Sequence, residues 1–206
     1  MEIKRFVTNV LEENIYLLIC DKKCCIIDPG GNNIQEVLKY MNDNELQLEA
    51  ILITHGHFDH ILSVNDILKF KNVPIYIGKE DVEKLFNSNL SLSRIFNGQD
   101  YSVLKEAKII ELKDGDTVFN LKVLHTPGHT SGSVCYFDES DNCIFTGDTL
   151  FKMSYGRVDF PTGDALAMRD SLNRLLRLDG SITVYPGHGQ DTTIQEEYSN
   201  YYGTYY

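Results

Sequence analysis

The pattern of hydrophobic and polar residues predicts strands that alternate with helices in the first third of the chain. Two apolar runs, Asn14–Cys20 and residues 24–28, are separated by three polar residues, which is typical of a β-hairpin. Apolar residues then recur at helical spacing in residues 32–41, ahead of a short apolar run at 50–53 that predicts a buried strand. The helical spacing resumes after His60, so we expect a helix to begin there.

Short strands dominate the rest of the pattern. Apolar runs predict strands at residues 73–77, 107–112, 117–125, 133–137, 142–146 and 183–185, and helical spacing predicts helices at 79–86, 163–178 and 192–198. Residues 88–105 have weak periodicity and read as a long loop. Because loops of that length in a compact domain are often functional, we interpret this one as a candidate lid.

Composition and charge fit one soluble globular domain. The 206 residues are 42% hydrophobic and 24% charged, and no linker or repeat divides them, which predicts a single domain over 1–206 with a tyrosine-rich tail at 199–206. A net charge of −11 disfavours nucleic acid and anionic membranes as partners. We find neither a run of about 20 apolar residues nor a signal peptide at the N-terminus.

The five cysteines predict buried, reduced thiols. Their number is odd, no C-x-x-C pair occurs, and most lie inside apolar strand-like runs. A disulfide framework is therefore disfavoured, and the expected location is the cytoplasm. The oligomeric state cannot be read from the sequence.

Candidate chemistry is concentrated between residues 55 and 60. Three of the chain's six histidines, His55, His57 and His60, lie in this run with Asp59 among them. The two-residue spacing after a strand differs from the helical i, i+4 pairing of H-E-x-x-H metal sites. One metal would leave some of these four side chains unused, whereas two adjacent metals can use all of them.

Three later residues of ligand type supply the remaining ligands that two metals would need. His129, Asp148 and His188 each follow a predicted strand and a glycine. His55, His57 and His129 are then predicted to hold one metal, Asp59, His60 and His188 the other, with Asp148 bridging them. Each fragment alone has a simpler explanation, since Asp59 could cap the next helix. The sixth histidine, His125, we interpret as a hydrogen-bonded residue that shapes the loop beside the ligands.

These motifs resemble those of the metallo-β-lactamase-fold hydrolases. The set is H-x-H-x-D-H, T-P-G-H-T, G-D-T and P-G-H-G, and the match runs from about residue 5 to 197. The resemblance implies an α/β (α+β) fold, a four-layer αββα sandwich of two mixed sheets with outer helices, and a dinuclear site at the sheet edge. The stretch 147–161 is similar to short bacterial relatives of glyoxalase II (hydroxyacylglutathione hydrolase).

That resemblance implies a cytoplasmic hydrolase acting on a small-molecule thioester. Two divalent ions, zinc by first choice with iron or manganese as alternatives, would lower the pKa of a shared water toward 7 and so supply a hydroxide. Asp59 is assigned a catalytic role besides its ligand role, because its carboxylate can orient that hydroxide. The metals would stabilise the developing oxyanion and the leaving thiolate.

One stretch departs from the full-length enzymes. Where those carry a lysine and a tyrosine that contact glutathione, this chain has Arg157 and Asp159. Arg157 could hold a substrate carboxylate, or it could form an internal salt bridge with Asp159.

Other functions on this fold are left as alternatives. The strongest is an oxidoreductase, a persulfide dioxygenase with a single iron, whose G-R-x-D-F motif matches residues 156–160. A β-lactamase is disfavoured because those enzymes generally lack an aspartate equivalent to Asp148, and a non-enzymatic protein is disfavoured because all seven ligands are present.

Overall fold

The computed structural model describes residues 1–96 and 98–203, which divide into two compact units, with the boundary between Glu111 and Leu112. Asn97, in the predicted lid, and residues 204–206 of the predicted tail lie outside the described residues. Among the described residues, no helix combines the length and the apolar character needed to cross a membrane.

The first unit is built on a mixed six-stranded sheet. Its spatial order follows the chain: β1 (Glu2–Val7), β2 (Asn14–Cys20), β3 (Lys23–Ile27), β4 (Gln47–Ile53), β5 (Ile75–Gly78) and β6 (Ile109–Leu112). The first three strands are antiparallel, whereas β3, β4 and β5 are parallel neighbours. Parallel neighbours need a crossover, and helix α1 (Ile34–Asp43) supplies the one between β3 and β4.

Four further helical segments complete this unit. They are α2 (Phe58–Ile61), α3 (Val64–Phe70), a 3-10 helix (Lys79–Leu85) and α4 (Ser93–Phe96). One core holds the unit together: the buried face of α1, including Val37 and Met41, packs in the same cluster as Ile51 and Ile53 of β4. The hairpin and the helices predicted for this half are confirmed, with ends shifted by a few residues.

The second unit has a six-stranded sheet of its own. Its spatial order is β14 (Thr192–Thr193), β13 (Thr183–Pro186), β10 (Cys143–Gly147), β9 (Val134–Asp138), β8 (Leu121–His125) and β7 (Thr117–Val118). Only β10 and β13 pair in parallel within it. Helices α5 (Ala165–Leu175) and α6 (Ile194–Tyr202) and a small hairpin, β11 (Leu150–Phe151) with β12 (Ser154–Tyr155), complete the unit.

Two expectations from the pattern need correction, and one strand was missed. The single strand predicted over 117–125 is a two-strand hairpin, because Phe119 and Asn120 have φ values of +49° and +65° and reverse the chain between β7 and β8. The terminal helix predicted over 192–198 extends further, since residues 199–202, at the start of the predicted tail, continue α6. Strand β1, which the pattern did not predict, pairs with β2 along its whole length. The fold class is confirmed: two mixed sheets with helices, consistent with the metallo-β-lactamase fold.

Candidate metal centre

The first unit gathers four of the predicted ligands where β4 ends and α2 begins. His55, His57, Asp59 and His60 are all buried. The ring centroid of His55 lies 4.8 Å from that of His57 and 4.2 Å from that of His60. The Nε2 atom of His60 is 3.8 Å from Oδ2 of Asp59. Three imidazoles and a carboxylate therefore converge, and these are donor types that bind zinc, iron and manganese.

Asp28, a residue that the sequence pattern did not single out, orients two of these histidines. Its Oδ2 accepts a hydrogen bond from Nδ1 of His60 at 3.0 Å and from the Thr54 hydroxyl at 2.6 Å. Because that hydroxyl gives its proton to Asp28, its oxygen is left to accept from Nδ1 of His55, 3.2 Å away. Both rings then keep the Nε2 lone pair, the atom through which they can bind a metal.

The fold explains how Asp28 reaches these rings. It directly follows β3, which pairs in parallel with β4, so the loops after both strands leave the same edge of the sheet. Its φ of +49° is uncommon for a residue with a side chain, and its N–H donates to the carbonyl of Leu52 at 3.0 Å. The available signal was an aspartate at the end of the apolar run 24–28, directly ahead of Pro29-Gly30-Gly31, and no role was predicted for it.

The second unit brings the other three predicted ligands together. His129 is buried, and Asp148 and His188 are partly buried, on the loops after β8, β10 and β13. Oδ2 of Asp148 lies 3.5 Å from Nε2 of His129, and its Oδ1 lies 3.6 Å from Nε2 of His188. One carboxylate oxygen thus faces each histidine, which is the arrangement expected of a carboxylate that bridges two ions.

A backbone contact orients His129. Its Nδ1 lies 2.7 Å from the carbonyl oxygen of Arg157, which can only accept, so Nδ1 carries the proton. The preceding Gly156 makes the close approach of this loop feasible. A Cβ there would stand 1.9 Å from the carbonyl oxygen of Asp148 and 3.1 Å from Nδ1 of His129, so no side chain fits. This structural role of the 156–157 stretch was not predicted.

The Arg157 side chain is engaged within the unit. Its guanidinium donates two hydrogen bonds of 2.7 Å to Asp159 and lies 3.8 Å from the centroid of the Phe160 ring. The guanidinium holds the pKa of Asp159 at about 2. The internal salt bridge, one of the two interpretations of Arg157, is therefore formed, and substrate binding by this residue stays a prediction.

His125 is not one of the three predicted ligands of its unit, and it helps to hold a loop. Its Nε2 donates to the carbonyl of Ser131 at 2.9 Å, two residues beyond His129. Its backbone N–H donates to Asp114 at 2.8 Å, and Arg174 donates both to that carboxylate and to the His125 carbonyl. These contacts are those of a residue that shapes the ligand loop.

The predicted lid segment is attached to the ligand helix of the first unit. The N–H of Phe58, which stands between two ligand residues, donates to the Ser91 carbonyl at 2.8 Å, and the Phe58 ring stacks with Phe96 at 6.0 Å between centroids. A bidentate bond from Arg94 to Asp100 closes the segment on itself, at 2.8 Å for each contact. Whether the segment covers a site stays a prediction.

Comparison with known proteins gives one family. The family model of the metallo-beta-lactamase superfamily matches residues 8–188, a range that contains all seven predicted ligands. A probable metallo-hydrolase of Bacillus subtilis, YqgX, is 32% identical over 96% of this chain and 94% of its own length. The hydroxyacylglutathione hydrolase GloC of Haemophilus influenzae is 33% identical over 97% of each chain.

Two solved structures extend the likeness to the fold. The BLEG-1 B3 metallo-beta-lactamase superposes with a TM-score of 0.90 at 32% identity, covering 98% of this chain and all of that one. TTHA1623, solved in a di-iron-bound form, gives a TM-score of 0.85 at 33% identity, covering 94% of this chain and 96% of that one. Because the family model matches most of the chain and relatives more than 30% identical cover nearly all of it, the chain belongs to the metallo-beta-lactamase superfamily.

Proposed function

We propose that this chain is a dinuclear-metal hydrolase that cleaves a thioester, with a hydroxyacylglutathione as the first substrate to test. The proposal assigns His55, His57 and His129 to one ion, Asp59, His60 and His188 to the other, and Asp148 to both.

The donor set supports divalent metal binding. It consists only of imidazole and carboxylate groups, which suit zinc and also iron and manganese. Zinc is our first choice for a hydrolase. Iron is the alternative, since the similar protein TTHA1623 was solved in a di-iron-bound form. The hydrogen bonds that fix Nδ1 of His60 and of His129 leave Nε2 as the donor atom on both rings.

Asp148 is the observation that carries the two-metal assignment. Its two oxygens lie 3.5 Å and 3.6 Å from the Nε2 atoms of two different histidines. An aspartate at this position also distinguishes the glyoxalase II-like hydrolases from most β-lactamases of this fold. The full-length similarity to GloC supports the same choice of substrate class.

The chemistry can be assigned in outline. Two bound divalent ions would supply a water that ionises near neutral pH and positive charge for the carbonyl oxygen of the substrate. The buried carboxylate of Asp59 lies 3.8 Å from Nε2 of His60, which supports a role in which it accepts a hydrogen bond from the attacking water and orients it. Because a thiolate is a good leaving group, no separate general acid is assigned.

Two other activities are kept as outcomes of the test. β-Lactam hydrolysis is a second candidate because the BLEG-1 enzyme shares 32% identity and the whole fold with this chain. The iron-dependent persulfide dioxygenase remains the alternative from the G-R-x-D-F motif at residues 156–160.

The cell compartment and the partner class are also proposals. We propose a cytoplasmic enzyme that acts on a small molecule. The five cysteines support a reducing compartment, since all are free thiols and four are buried.

The decisive experiment is a substrate panel on protein whose metals have been quantified. S-D-lactoylglutathione and other thioesters, a chromogenic cephalosporin, and glutathione persulfide with an oxygen electrode form its three arms, each with and without chelator. We expect thioester hydrolysis that chelator abolishes and metal restores. One iron per chain with oxygen uptake on the persulfide, or hydrolysis of the cephalosporin alone, would overturn the proposal.

A further inference from the structure

We propose that a buried ion pair, Asp81–Lys84, positions the metal-binding loop of the first unit by fixing the backbone between His55 and His57. The inference rests on the metal site proposed above. It assigns Asp81 and Lys84 a role through the loop and not through contact with substrate or metal.

The ion pair lies on one face of the 3-10 helix. Residues three apart eclipse each other in such a helix, which places Lys84 over Asp81. The Lys84 Nζ is 2.8 Å from Oδ1 of Asp81, and the two side chains are 2% and 0% exposed. The other oxygen of the same carboxylate, Oδ2, accepts the N–H of Gly56 at 2.8 Å.

Packing presses the loop against the same helix. A Cβ at Gly56 would stand 2.5 Å from Cβ of Lys84 and 3.2 Å from the carbonyl oxygen of Asp81. The glycine therefore lets the loop lie directly on the aliphatic part of Lys84, while its N–H reaches the carboxylate beneath. Between them, these two contacts hold the peptide that joins the two histidines.

Stability alone gives little reason for such a pair. Removing two charges from water costs about as much as their attraction returns, so apolar residues of the same volume would serve a core equally well. An exposed pair at the same spacing, Lys69 with Asp66, carries no such cost, since its side chains are 68% and 52% exposed.

The buried ion pair is better explained by the geometry of the loop than by stability. A carboxylate accepts a stronger hydrogen bond from a backbone N–H than a neutral group does. The Asp81 carboxylate is buried, and Lys84 neutralises its negative charge. The fixed peptide holds the rings of His55 and His57 at 87° to each other with centroids 4.8 Å apart. Displacement of a ligand by a fraction of an ångström is enough to weaken a metal site.

The test compares two double variants that both remove the ion pair. Asp81→Asn/Lys84→Met keeps an oxygen for the Gly56 N–H, whereas Asp81→Leu/Lys84→Met leaves that N–H without an acceptor. The probe is Co²⁺ alone, followed by its visible absorption spectrum and its dissociation constant, with far-ultraviolet circular dichroism to check folding. The exposed pair provides the matched control, Asp66→Asn/Lys69→Met.

We expect the asparagine variant and the control to bind Co²⁺ with the wild-type spectrum and affinity within about threefold. The leucine variant should bind about 10- to 100-fold more weakly, with a changed spectrum. Equal behaviour of the two double variants would show that the pair is only part of the core and would overturn the inference.

A single variant keeps the test decisive if the leucine variant does not fold. In Asp81→Asn the one amide oxygen must serve either Lys84 or Gly56, so Co²⁺ binding should be weaker than in Asp81→Asn/Lys84→Met. Rescue by removing the lysine supports positioning, and its absence overturns it. Wild-type protein that binds no Co²⁺ would refute the proposed metal site as well, whereas bound Co²⁺ without thioester hydrolysis would refute only the proposed substrate.

Discussion

The carboxylate of Asp28 should govern both the stability and the metal affinity of the first unit. Three donors converge on it: Thr54 N–H at 2.7 Å on Oδ1, and the Thr54 hydroxyl and His60 Nδ1 on Oδ2. Asp28→Asn keeps the shape but leaves one accepting oxygen. If its amide group replaces Oδ2, it faces the His60 N–H donor, and the ring can relieve that clash only by moving its proton to Nε2.

The expected size of the effect follows from burial. Asp28 is 1% exposed and His60 is fully buried, so solvent does not weaken their interaction. A hydrogen bond to a charged group contributes about 1.5–3 kcal/mol. Losing one of the three should lower the free energy of unfolding of the metal-free protein by about 2–3 kcal/mol. A ring with its proton on Nε2 cannot bind through that atom, so metal affinity should fall about 10- to 100-fold.

Two assays check this prediction separately. Urea unfolding of chelator-treated protein gives the change in stability, and competition with a chromogenic chelator gives the change in metal affinity. Asp179→Asn, which alters an exposed aspartate whose side chain accepts hydrogen bonds from nearby Ser181, serves as control and should change stability by less than about 1 kcal/mol. A variant at Asp28 with wild-type stability and wild-type metal affinity would refute the role given to its carboxylate.

Three further changes test other parts of the two units. Gly156→Ala should lower the free energy of unfolding by about 1–3 kcal/mol, because its Cβ would stand 1.9 Å from the Asp148 carbonyl oxygen, and an unchanged urea midpoint would contradict this. Asp59→Ala should lower kcat/KM for the thioester at least about 100-fold because it removes the carboxylate that orients water, whereas unchanged turnover would refute the catalytic role assigned to Asp59. Thiol labelling of native protein at pH 8, read by mass spectrometry, should modify Cys20 alone, since burial raises the pKa of the other thiols to about 11 or 12, and a second rapidly labelled site would contradict the packing.

The elements that the sequence predicts well are those whose pattern reports burial directly. Strand β2 is buried at six of its seven positions and α1 buries one face, so both leave a clear apolar signature. Strand β1 was missed because only Ile3 and Phe6 among its residues are even partly buried. Apart from the packing of Phe6 on the core, β1 is held by the backbone ladder to β2, and a hydrogen-bond ladder leaves no residue pattern.

The turn between β7 and β8 was missed for a similar reason. Phe119 and Asn120 reverse the chain with positive φ at both positions, which a sequence argument assigns to Asn-Gly or Gly-Gly pairs. The phenylalanine gave no such signal, so one long strand was predicted in place of a hairpin. Tertiary pairing of β7 with β8 decides the local conformation there.

The two units reach the same arrangement at their ligand histidines by different chemical means. The sequence could propose ligand residues, because imidazole and carboxylate groups after strand ends are informative by type. The oxygens that orient them were not predictable: Asp28 lies 32 residues from His60, and the carbonyl of Arg157 lies 28 residues from His129. A backbone carbonyl carries no residue signature at all.

The oxygen facing His60 is a carboxylate, which raises the basicity of the ring, whereas the one facing His129 is neutral. His60 should therefore be the stronger donor of the two, and replacing Asp28 should weaken metal binding more than any side-chain change at Arg157, whose contribution to His129 comes from the main chain.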